Sequence, residues 1–467
     1  MRLSHEWSRA TPVFDDENLV SCAGLVPVLA LAEQAGLSQL IGEKVSITSW
    51  RVRSAGANPV GKLSSIIAGM AAGADSIDDL DVIRAGGMDR LFGEVYACST
   101  MGQFLREFTH GNTSQLASVA RAHLRALVQR TGCLPGIEAR CFVDIDSLLR
   151  PVYGHQKQGA SFGHTKIASR QVLRKGLSPL AAVISTETGA PLIAGMRLRA
   201  GKAGSGKGAA SMVAEAIRTA RAAGASGQIL VRGDSAYGSR AVVGACLKAG
   251  ARFSVVLSKN RAVQRAIATI ADSAWTPVHY PGAVLDPDTG QLISDAEVAE
   301  VEYTAFAGTK TPVTARLIVR RVRDRAKDNE LFPVYRFHPF FTNNTEPAPQ
   351  ADITHRQHAI VESVFADLID GPLAHLPSGS FAANHAWAWC AAITHNLLRA
   401  AGALTSAEHA VARGATLRRR IVNVPARLAR PQRRPVLHLP RHWPWAAYWT
   451  RLWDNVFTTG KAPPAAA

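Results

Sequence analysis

The sequence predicts a mixed α/β protein in which a mostly helical N-terminal part precedes a β-sheet core. Apolar residues recur at helical spacing from Leu25 to about Arg130, and then form short β-branched runs after a linker at 134–136. A strand-rich stretch follows, and helical spacing returns near residue 347. The 467 residues, 47% of them hydrophobic, can bury the cores of roughly two to four structural units.

The five strands predicted after the linker fall in a specific order. They are ARCFVDID, LAAVIST, PLIAGMRLRA, GQILVRGD and RFSVVLS, with helices before and after the fourth strand. Two hairpin-joined strands that follow the first, with parallel strands that continue the sheet, are typical of an RNase H-like core. The fold class predicted for this part is therefore an RNase H-like mixed sheet.

The remaining segments complete a predicted division into five parts. EVEYTAF, TARLIVRRV and FPVYRFHPFFT alternate in polarity or are rich in β-branched and aromatic residues, which indicates a β-rich insertion. The predicted parts are the helical N-terminal domain (1–135), the first part of the core (136–260), the insertion (261–346), the second part of the core (347–404) and a basic C-terminal region (405–467).

The net charge indicates the class of partner. Lysine and arginine number 53 against 36 acidic residues, which gives a formal charge of +17. A surface of this charge attracts polyanions and releases counterions when it binds a phosphate backbone. Nucleic acid is therefore the predicted partner, and the alternative is that the excess arginine only keeps the protein soluble.

The cysteines and the hydropathy of the chain indicate the cellular compartment. The six cysteines form no CxxC pair and are predicted to be buried apolar residues of a reducing compartment. The first residues contain no signal-like apolar segment, and no uncharged apolar run has the length of a membrane span. We expect a cytoplasmic, nucleoid-associated protein without a membrane partner.

Four acidic residues are candidates for chemistry. Asp144 and Asp146 share one face of the first strand, Asp234 follows the fourth strand, and Glu362 lies on a later helix beside apolar positions. Each has an ordinary alternative, because strand-end aspartates often cap turns and such a glutamate is often only half-exposed. Asp146 is the better ligand, since Asp144 lies deeper in the strand and would need a buried partner.

Two strand carboxylates and one helix carboxylate match the preference of hard cations. Mg²⁺ binds carboxylate oxygens, and a pair of such ions can activate an attacking oxygen and stabilise a leaving one in phosphodiester chemistry. The combination of Asp146, Asp234 and Glu362 therefore predicts a site for two Mg²⁺ or Mn²⁺ ions, with Asp144 as a further candidate ligand.

A glycine-rich segment resembles a phosphate-binding loop only in part. GKAGSGKG at 201–208 nearly matches GxxxxGK[ST], but Gly208 stands where the motif requires a hydroxyl that binds Mg²⁺. We interpret the segment as a flexible basic loop before a helix. Lys202 and Lys207 are candidates for contacts with DNA phosphates.

The stretch from Arg413 to Arg441 contains nine arginines and no acidic residue. Arginine suits bidentate phosphate contacts, so the stretch is a candidate DNA-backbone track, with a merely solvated basic face as the alternative. Alternation in RPVLHLPRHWPW indicates β-structure, and the Trp-rich segment after it indicates packing. The candidate contacts are Arg418, Arg419, Arg420, Arg427, Arg430, Arg433 and Arg434.

Several blocks resemble, in order, the bacterial insertion-sequence transposases with a DDE triad, specifically the 1380-like group with a β-rich insertion before the glutamate. The blocks are STMGQFLREFTHGN, FVDIDSLLRPVYGHQKQGASFGHT, LVRGDSAYGS, DAEVAEVEYTAF, HAIVESVFADLIDGPLAHLPSGSFAANHAW and RRRIVNVPARLAR. Together they cover most of the chain.

The resemblance implies an RNase H-like core in which Asp146, Asp234 and Glu362 ligate the metals. The implied reaction is cleavage at the transposon ends, followed by transfer of the 3′-hydroxyl to target DNA. The implied partners are double-stranded DNA and a second copy of the chain, as a homodimer or higher oligomer. The helical 1–135 domain would bind DNA or oligomerise. The alternatives are an RNase H-like nuclease without strand transfer and an inactive remnant that only binds DNA.

The sequence departs from the family pattern around the third acid. The usual Tyr, Arg and Lys contacts to transposon-end phosphates have no direct counterpart here, and His355, Arg356 and His358 are candidates to replace part of them. Similar insertions can supply an aromatic residue that stacks on a flipped base. This makes Trp275 a candidate, with packing as its alternative role.

Overall fold

The N-terminal part of the chain is mostly helical. The structure is a computed structural model, and it describes residues 3, 5, 7–48, 55–167, 170–280, 296–323 and 334–458. The elements are β1 (Leu19–Val20), α1 (Leu25–Gln34), α2 (Leu37–Lys44), α3 (Pro59–Ala72), α4 (Cys98–Arg106) and α5 (His110–Thr131). Gly36, at φ 77°, lets the chain turn between α1 and α2, because a left-handed conformation favours glycine. The predicted helical N-terminal part is confirmed.

A mixed sheet forms the centre of the molecule. This region contains β2 (Arg140–Ser147), β3 (Arg150–Pro151), β4 (Ser161–Ile167), β5 (Arg170–Leu177), β6 (Leu180–Ser185), β7 (Leu192–Arg197), α6 (Ala209–Ala223), β8 (Gln228–Gly233), α7 (Arg240–Lys248) and β9 (Arg252–Val256). Strands β2, β8 and β9 are parallel neighbours, whereas β6 and β7 run antiparallel on the other side of β2. All five predicted core strands are therefore present.

A second sheet, of three strands, is absent from the predicted elements. Its order is β3-β5-β4, and it projects from the chain between β2 and β6. The sheet packs directly against the backbone of Gly201. A Cβ added at Gly201 would lie 2.1 Å from the carbonyl oxygen of Ser161 and 2.3 Å from that of Gly176. Phe162 and Leu173 are exposed on it. Among the described side chains of this hairpin, the buried positions are glycines and Leu177, so the sequence lacks the apolar alternation that predicts strands.

The insertion extends the central sheet. It contributes α8 (Arg261–Ala268), β10 (Thr276–Pro277), β11 (Ala296–Ala305), β12 (Val313–Arg323) and β13 (Tyr335–Thr342). Strand β13 pairs with β9, which gives the nine-stranded order β10-β11-β12-β13-β9-β8-β2-β6-β7. The predicted β-rich character is confirmed, but the prediction that helical periodicity is absent from the start of the insertion is wrong. Asn260 caps α8, and Val263 and Ile267 are buried one turn apart.

The C-terminal elements join the core to the N-terminus. They are α9 (Ala348–Arg356), α10 (Ile360–Ile369), α11 (Phe381–Ala403), α12 (Ala407–Val411), α13 (Gly414–Leu417), β14 (Ala426–Ala429), β15 (Val436–His438) and α14 (Ala446–Phe457). Helix α11 is almost wholly buried and packs on α3, α5 and β7, while β14 pairs with both β1 and β15. The predicted β-structure of the basic region is confirmed, and the five domain boundaries stay a prediction.

The cysteines and the tryptophans of the C-terminal segment serve packing, as predicted. All six cysteines are free, and five are buried while Cys98 is half-buried. Trp449 is buried on α14 and stacks on Trp453 with ring centroids 5.3 Å apart. Within the described ranges, no single helix has both the length and the apolar character to cross a membrane, although α1 and α2 pass that test together as a bent pair.

Candidate active site

Asp146 lies near the carboxyl end of the central strand β2. The strand is buried from Cys141 to Ile145, after which exposure rises, so the chain delivers the carboxylate of Asp146 to the edge of the sheet. Its Oδ1 accepts a hydrogen bond of 2.6 Å from the backbone amide of Ser147. This bond fixes the carboxylate at the point where the strand ends.

Asp234 and Glu362 reach the same region from neighbouring elements. Asp234 directly follows β8, which is parallel to β2, and its Oδ1 accepts a 2.9 Å hydrogen bond from the amide of Ala236. Glu362 stands in the first turn of α10, a helix that packs on β2. A carboxylate is favoured there by the helix dipole. Both side chains are exposed, whereas Asp146 is half-buried.

The three carboxylates influence one another electrostatically. Burial raises the pKa of Asp146 to about 6, and the negative charges of Asp234 and Glu362 add to the rise while the amide of Ser147 opposes it. Among the described residues, however, no three Asp, Glu, His or Cys side chains stand close enough to share one metal ion. The acids are thus neighbours without forming a compact ligand set.

Asp144 differs from Asp146 because both of its oxygens are already bonded. Arg232 on β8 donates from Nε and Nη2 to the two oxygens at 2.7 and 2.8 Å, and both residues are almost fully buried. Burial raises the pKa of Asp144 and the guanidinium lowers it. Bidentate donation matches the carboxylate form. The arrangement does not support Asp144 as a metal ligand, and confirms that an acid at this depth needs a partner.

Arg232 also holds the segment that leads to Glu362. Its Nη1 donates to the carbonyl oxygen of Thr354 on α9 at 2.8 Å, and its guanidinium lies 4.1 Å from the ring centroid of Phe142. One side chain thus joins β2, β8 and α9. The sequence analysis missed this residue, although an arginine inside the apolar strand QILVRG was the available signal.

Two further neighbours of Asp146 were also missed. Tyr237 is fully buried, and burial and the charge of Asp146 raise its pKa. Arg199 is buried, and burial lowers its pKa while the charges of nearby Tyr237 and Asp146 oppose the shift. A tyrosine after GDSA and an arginine in an apolar segment were the signals available in the sequence.

Arg199 determines the conformation of the glycine-rich loop 201–208. The Nη1 of Arg199 does not pair with a carboxylate. It donates instead to the carbonyl oxygens of Gly204, Ser205 and Lys207 at 3.4, 2.8 and 3.0 Å. A phosphate-binding loop presents amide groups to its ligand, whereas these carbonyls face an arginine. Lys202 and Lys207 are exposed on this loop.

Asp367 anchors the C-terminal end of helix α10. Its Oδ2 accepts a 2.8 Å hydrogen bond from Arg399 on α11, while Oδ1 accepts from Arg413 and from the amide of Gly414 at 3.3 Å. Because Asp367 lies one and a half turns after Glu362, this buried cluster fixes the helix that carries the third acid.

The histidines before α10 have different surroundings. His355 is buried, stacks on Phe340 with centroids 4.3 Å apart and pairs with Ser254 Oγ at 2.9 Å, and burial places its pKa well below the usual value. It therefore offers no surface to a DNA phosphate, contrary to the expectation for this residue. Arg356 is exposed and lies 4.0 Å from the ring centroid of Tyr280, and His358 is half-buried.

Trp275 lies in a packed aromatic group. Arg321 stands 4.4 Å from the Trp275 ring centroid and 4.5 Å from that of Tyr335, and Phe337 lies 6.0 Å from Trp275. These contacts favour the packing role over stacking on a flipped base, because the indole face is already covered by a guanidinium.

The seven candidate arginines of the C-terminal track divide into two groups. Three have partners within the protein: Arg418 donates to the Asp370 carbonyl oxygen at 3.3 Å, Arg420 pairs with Glu408, and Arg427 pairs with Asp16 at 3.4 Å. The others are exposed and have no carboxylate partner in the described part of the chain. They are Arg419, Arg430, Arg433 and Arg434.

Two acids at the ends of neighbouring parallel strands and a third on a helix that packs on the sheet are an arrangement compatible with phosphodiester chemistry. A family model described as transposase DDE domain group 1 matches residues 8–460. The chain belongs to this family, and is therefore a transposase-type enzyme with DNA as its substrate. No curated protein matches the chain.

Proposed function

We propose that this chain cleaves DNA at the terminal inverted repeats of a 1380-like insertion sequence and joins the freed 3′-hydroxyl ends to target DNA. The observation that carries the proposal is geometric: Asp146 lies near the end of β2, Asp234 directly follows the parallel neighbour β8, and Glu362 begins α10, which packs on β2. The strand order β7-β6-β2-β8-β9 supports an RNase H-like core.

The three acids supply the type of ligand that a pair of hard cations, Mg²⁺ or Mn²⁺, prefers. All are oxygen donors, and their mutual charge favours the binding of cations. Such ions, when bound, activate an attacking oxygen and stabilise a leaving oxygen. Asp146, on the central strand β2, would hold the ions together with Asp234 and Glu362.

The protein's own side chains position this site. Arg232 and Asp144 lock β2 to β8 and to α9, which fixes the carboxylates of Asp146 and Asp234 relative to each other. Asp367 holds the helix of Glu362 from its opposite end. Catalysis then depends on positioning and on charges arranged before the reaction begins.

The DNA contacts proposed outside the acids are those cations that stay accessible. They are Lys202, Lys207, Arg356, His358, Arg419, Arg430, Arg433 and Arg434. Action on two ends supports a homodimer or higher oligomer, and action on DNA supports a cytoplasmic, nucleoid-associated enzyme.

Substitution of the three acids tests the proposal. Asp146→Asn, Asp234→Asn and Glu362→Gln should each lower end cleavage at least about a hundredfold, because each removes charge that faces the reacting phosphate. Binding of the uncleaved end should stay equal or become slightly tighter. Gel assays of cleavage and binding with Mg²⁺, and again with the metal chelated, provide the measurements.

Asp89→Asn and Glu302→Gln, at exposed positions outside the site, are matched controls that should cleave normally. Retained cleavage in one of the three site variants would refute the role of that residue. A pre-cleaved end supplied with target DNA distinguishes the reactions: joined product supports transposition, and hydrolysis without joining would overturn the proposed strand transfer in favour of a nuclease.

A further inference from the structure

A cleft lined mainly by basic side chains is built in part by β3, the strand that follows the one carrying Asp146. An open cleft of about 910 Å³ separates α4 from the three-stranded sheet and from the loop that follows α10. We call it the α4 cleft. Its walls include Arg106 on α4, Arg150 on β3, Arg174 on β5 and His375 on the loop. Segments far apart in the chain therefore build one concave surface.

The charge of the α4 cleft is largely uncompensated. Arg106, Arg150, Lys157 and Arg174 line it, and none of them pairs with a carboxylate in the described ranges, whereas Asp78 contributes one negative charge. Arg150 and Lys157 donate to the backbone carbonyl oxygens of Ala374 and Ser378 at 2.7 and 3.1 Å. Such bonds orient the cations without neutralising them.

Two details of the lining favour a nucleic acid over a small anion. The side chain of Tyr153, 77% exposed, adds an aromatic face to the cationic wall. Basic grooves with exposed aromatic residues bind DNA strands through phosphate contacts and stacking. In addition, the guanidinium of Arg150 is held in place by the bond from its Nη2 to the carbonyl oxygen of Ala374, so its charge is oriented but has no carboxylate partner in the described ranges.

One residue of the cleft, Arg150, is close in the chain to Asp146. Arg150 follows Asp146 by four residues, which limits their Cα separation to about 14 Å. A DNA strand covers that distance in about four nucleotides at roughly 3.4 Å each. The reach of a strand whose phosphate lies at Asp146 therefore includes Arg150.

We propose that the α4 cleft binds the sugar-phosphate backbone of the DNA strand that leads to the scissile phosphate. The proposal rests on the proposed function, since it assigns a binding surface to the same reaction. In this arrangement Arg106 and Arg174 contact the phosphates of the strand from opposite walls of the cleft. Arg150 lies between these two residues and the acids.

The test removes charge from the cleft and measures binding alone. Arg106→Gln/Arg174→Gln, placed in a Glu362→Gln background, changes two exposed residues of the cleft. We expect the dissociation constant for a mixed-sequence duplex with a single-stranded extension to rise about tenfold at physiological salt. The slope of log K against log salt should fall by about 2, one for each lost phosphate contact.

Arg125→Gln/Arg218→Gln, in the same background, is the matched control, because it removes two exposed charges on α5 and α6 away from the cleft. It should retain the parental slope, and Arg106→Lys/Arg174→Lys should retain most of the affinity. Equal losses in the cleft and control variants would overturn the proposal, as would unchanged binding in both. Loss of self-association with intact DNA binding would assign the cleft to a second copy and also overturn it. Since binding is measured without cleavage, these results do not depend on whether the enzyme transfers strands.

Discussion

Two aspartates only two residues apart have opposite surroundings. Asp144 is fully buried and bonded through both oxygens to Arg232, whereas Asp146 is half-buried and stands near two other acids. Period-two geometry places both on one face of β2, so depth along the strand makes the difference. Asp144 therefore stabilises the sheet beneath the site through its pair with Arg232, whereas Asp146 faces the site itself.

Loss of Arg232 should be severe because it leaves a buried charge without a partner. We expect Arg232→Met to lower the free energy of unfolding by about 3–5 kcal/mol. The double variant Asp144→Leu/Arg232→Met should recover much of that loss, since two apolar groups then replace the pair. Denaturant unfolding of both proteins measures the effect.

Arg218→Met, at an exposed position on α6, is the control and should change stability little. If the double variant were as unstable as Arg232→Met alone, the role of the ion pair would be contradicted, and the loss would belong to the bonds of Arg232 with Thr354 and Phe142.

At the scale of elements, the hairpin β4-β5 and the loop at 201–208 form one unit. Gly163, Gly176 and Gly201 bring three backbone segments into direct contact, where no Cβ fits. The glycines that suggested a phosphate-binding loop therefore include one with a packing role. Arg199 completes the unit by binding the loop's carbonyl groups.

A pair of glycine substitutions in this loop tests that interpretation. Gly201→Ala should lower the free energy of unfolding by about 1–3 kcal/mol, because its Cβ would overlap two carbonyl oxygens. Gly204→Ala should be nearly neutral, since nothing lies within 4 Å of its added Cβ. Denaturant unfolding of the two variants gives the comparison, and equal effects would contradict the packing role.

At the scale of the whole molecule, the buried core links the ends of the chain. Strand β14 pairs with β1, and α11 packs against both the N-terminal helices and β7. This core contains several histidines, and burial lowers the pKa of three of them to about 4. They are His123, His385 and His395.

Stability should therefore fall in mild acid. In the unfolded chain these histidines bind protons near pH 6.5, whereas in the fold they stay neutral down to about pH 4, so acid favours unfolding. The stability that each neutral, buried histidine contributes is fully present above pH 6.5. It is lost as the pH falls toward 4, by about 1.4 kcal/mol of unfolding free energy per pH unit for each histidine. Denaturant midpoints across that range provide the measurement.

His123→Leu should reduce this pH slope by the contribution of one histidine, whatever its effect on stability at neutral pH. His155→Gln, at an exposed position, is the control for the loss of a histidine outside the core. An unchanged slope in His123→Leu would show that another group titrates.

The sequence predicted elements well where burial imposes a strong period. The five core strands, the N-terminal helices and the strands of the insertion all have apolar residues at two- or three-to-four-residue spacing. Helix α8 was missed because only Val263 and Ile267 are buried on it, and hairpin β4-β5 was missed because the buried positions among its described side chains are glycines and Leu177.

What the sequence alone determined is the identity and order of the candidate acids, because strand ends and a helix face can be located from local periodicity. Only the tertiary structure decided which charges are free. Asp144 and Arg232 are 88 positions apart, and Arg427 meets Asp16 across 411. Local pattern carries no information about such partners, since their contact depends on how the sheet and the chain ends are brought together.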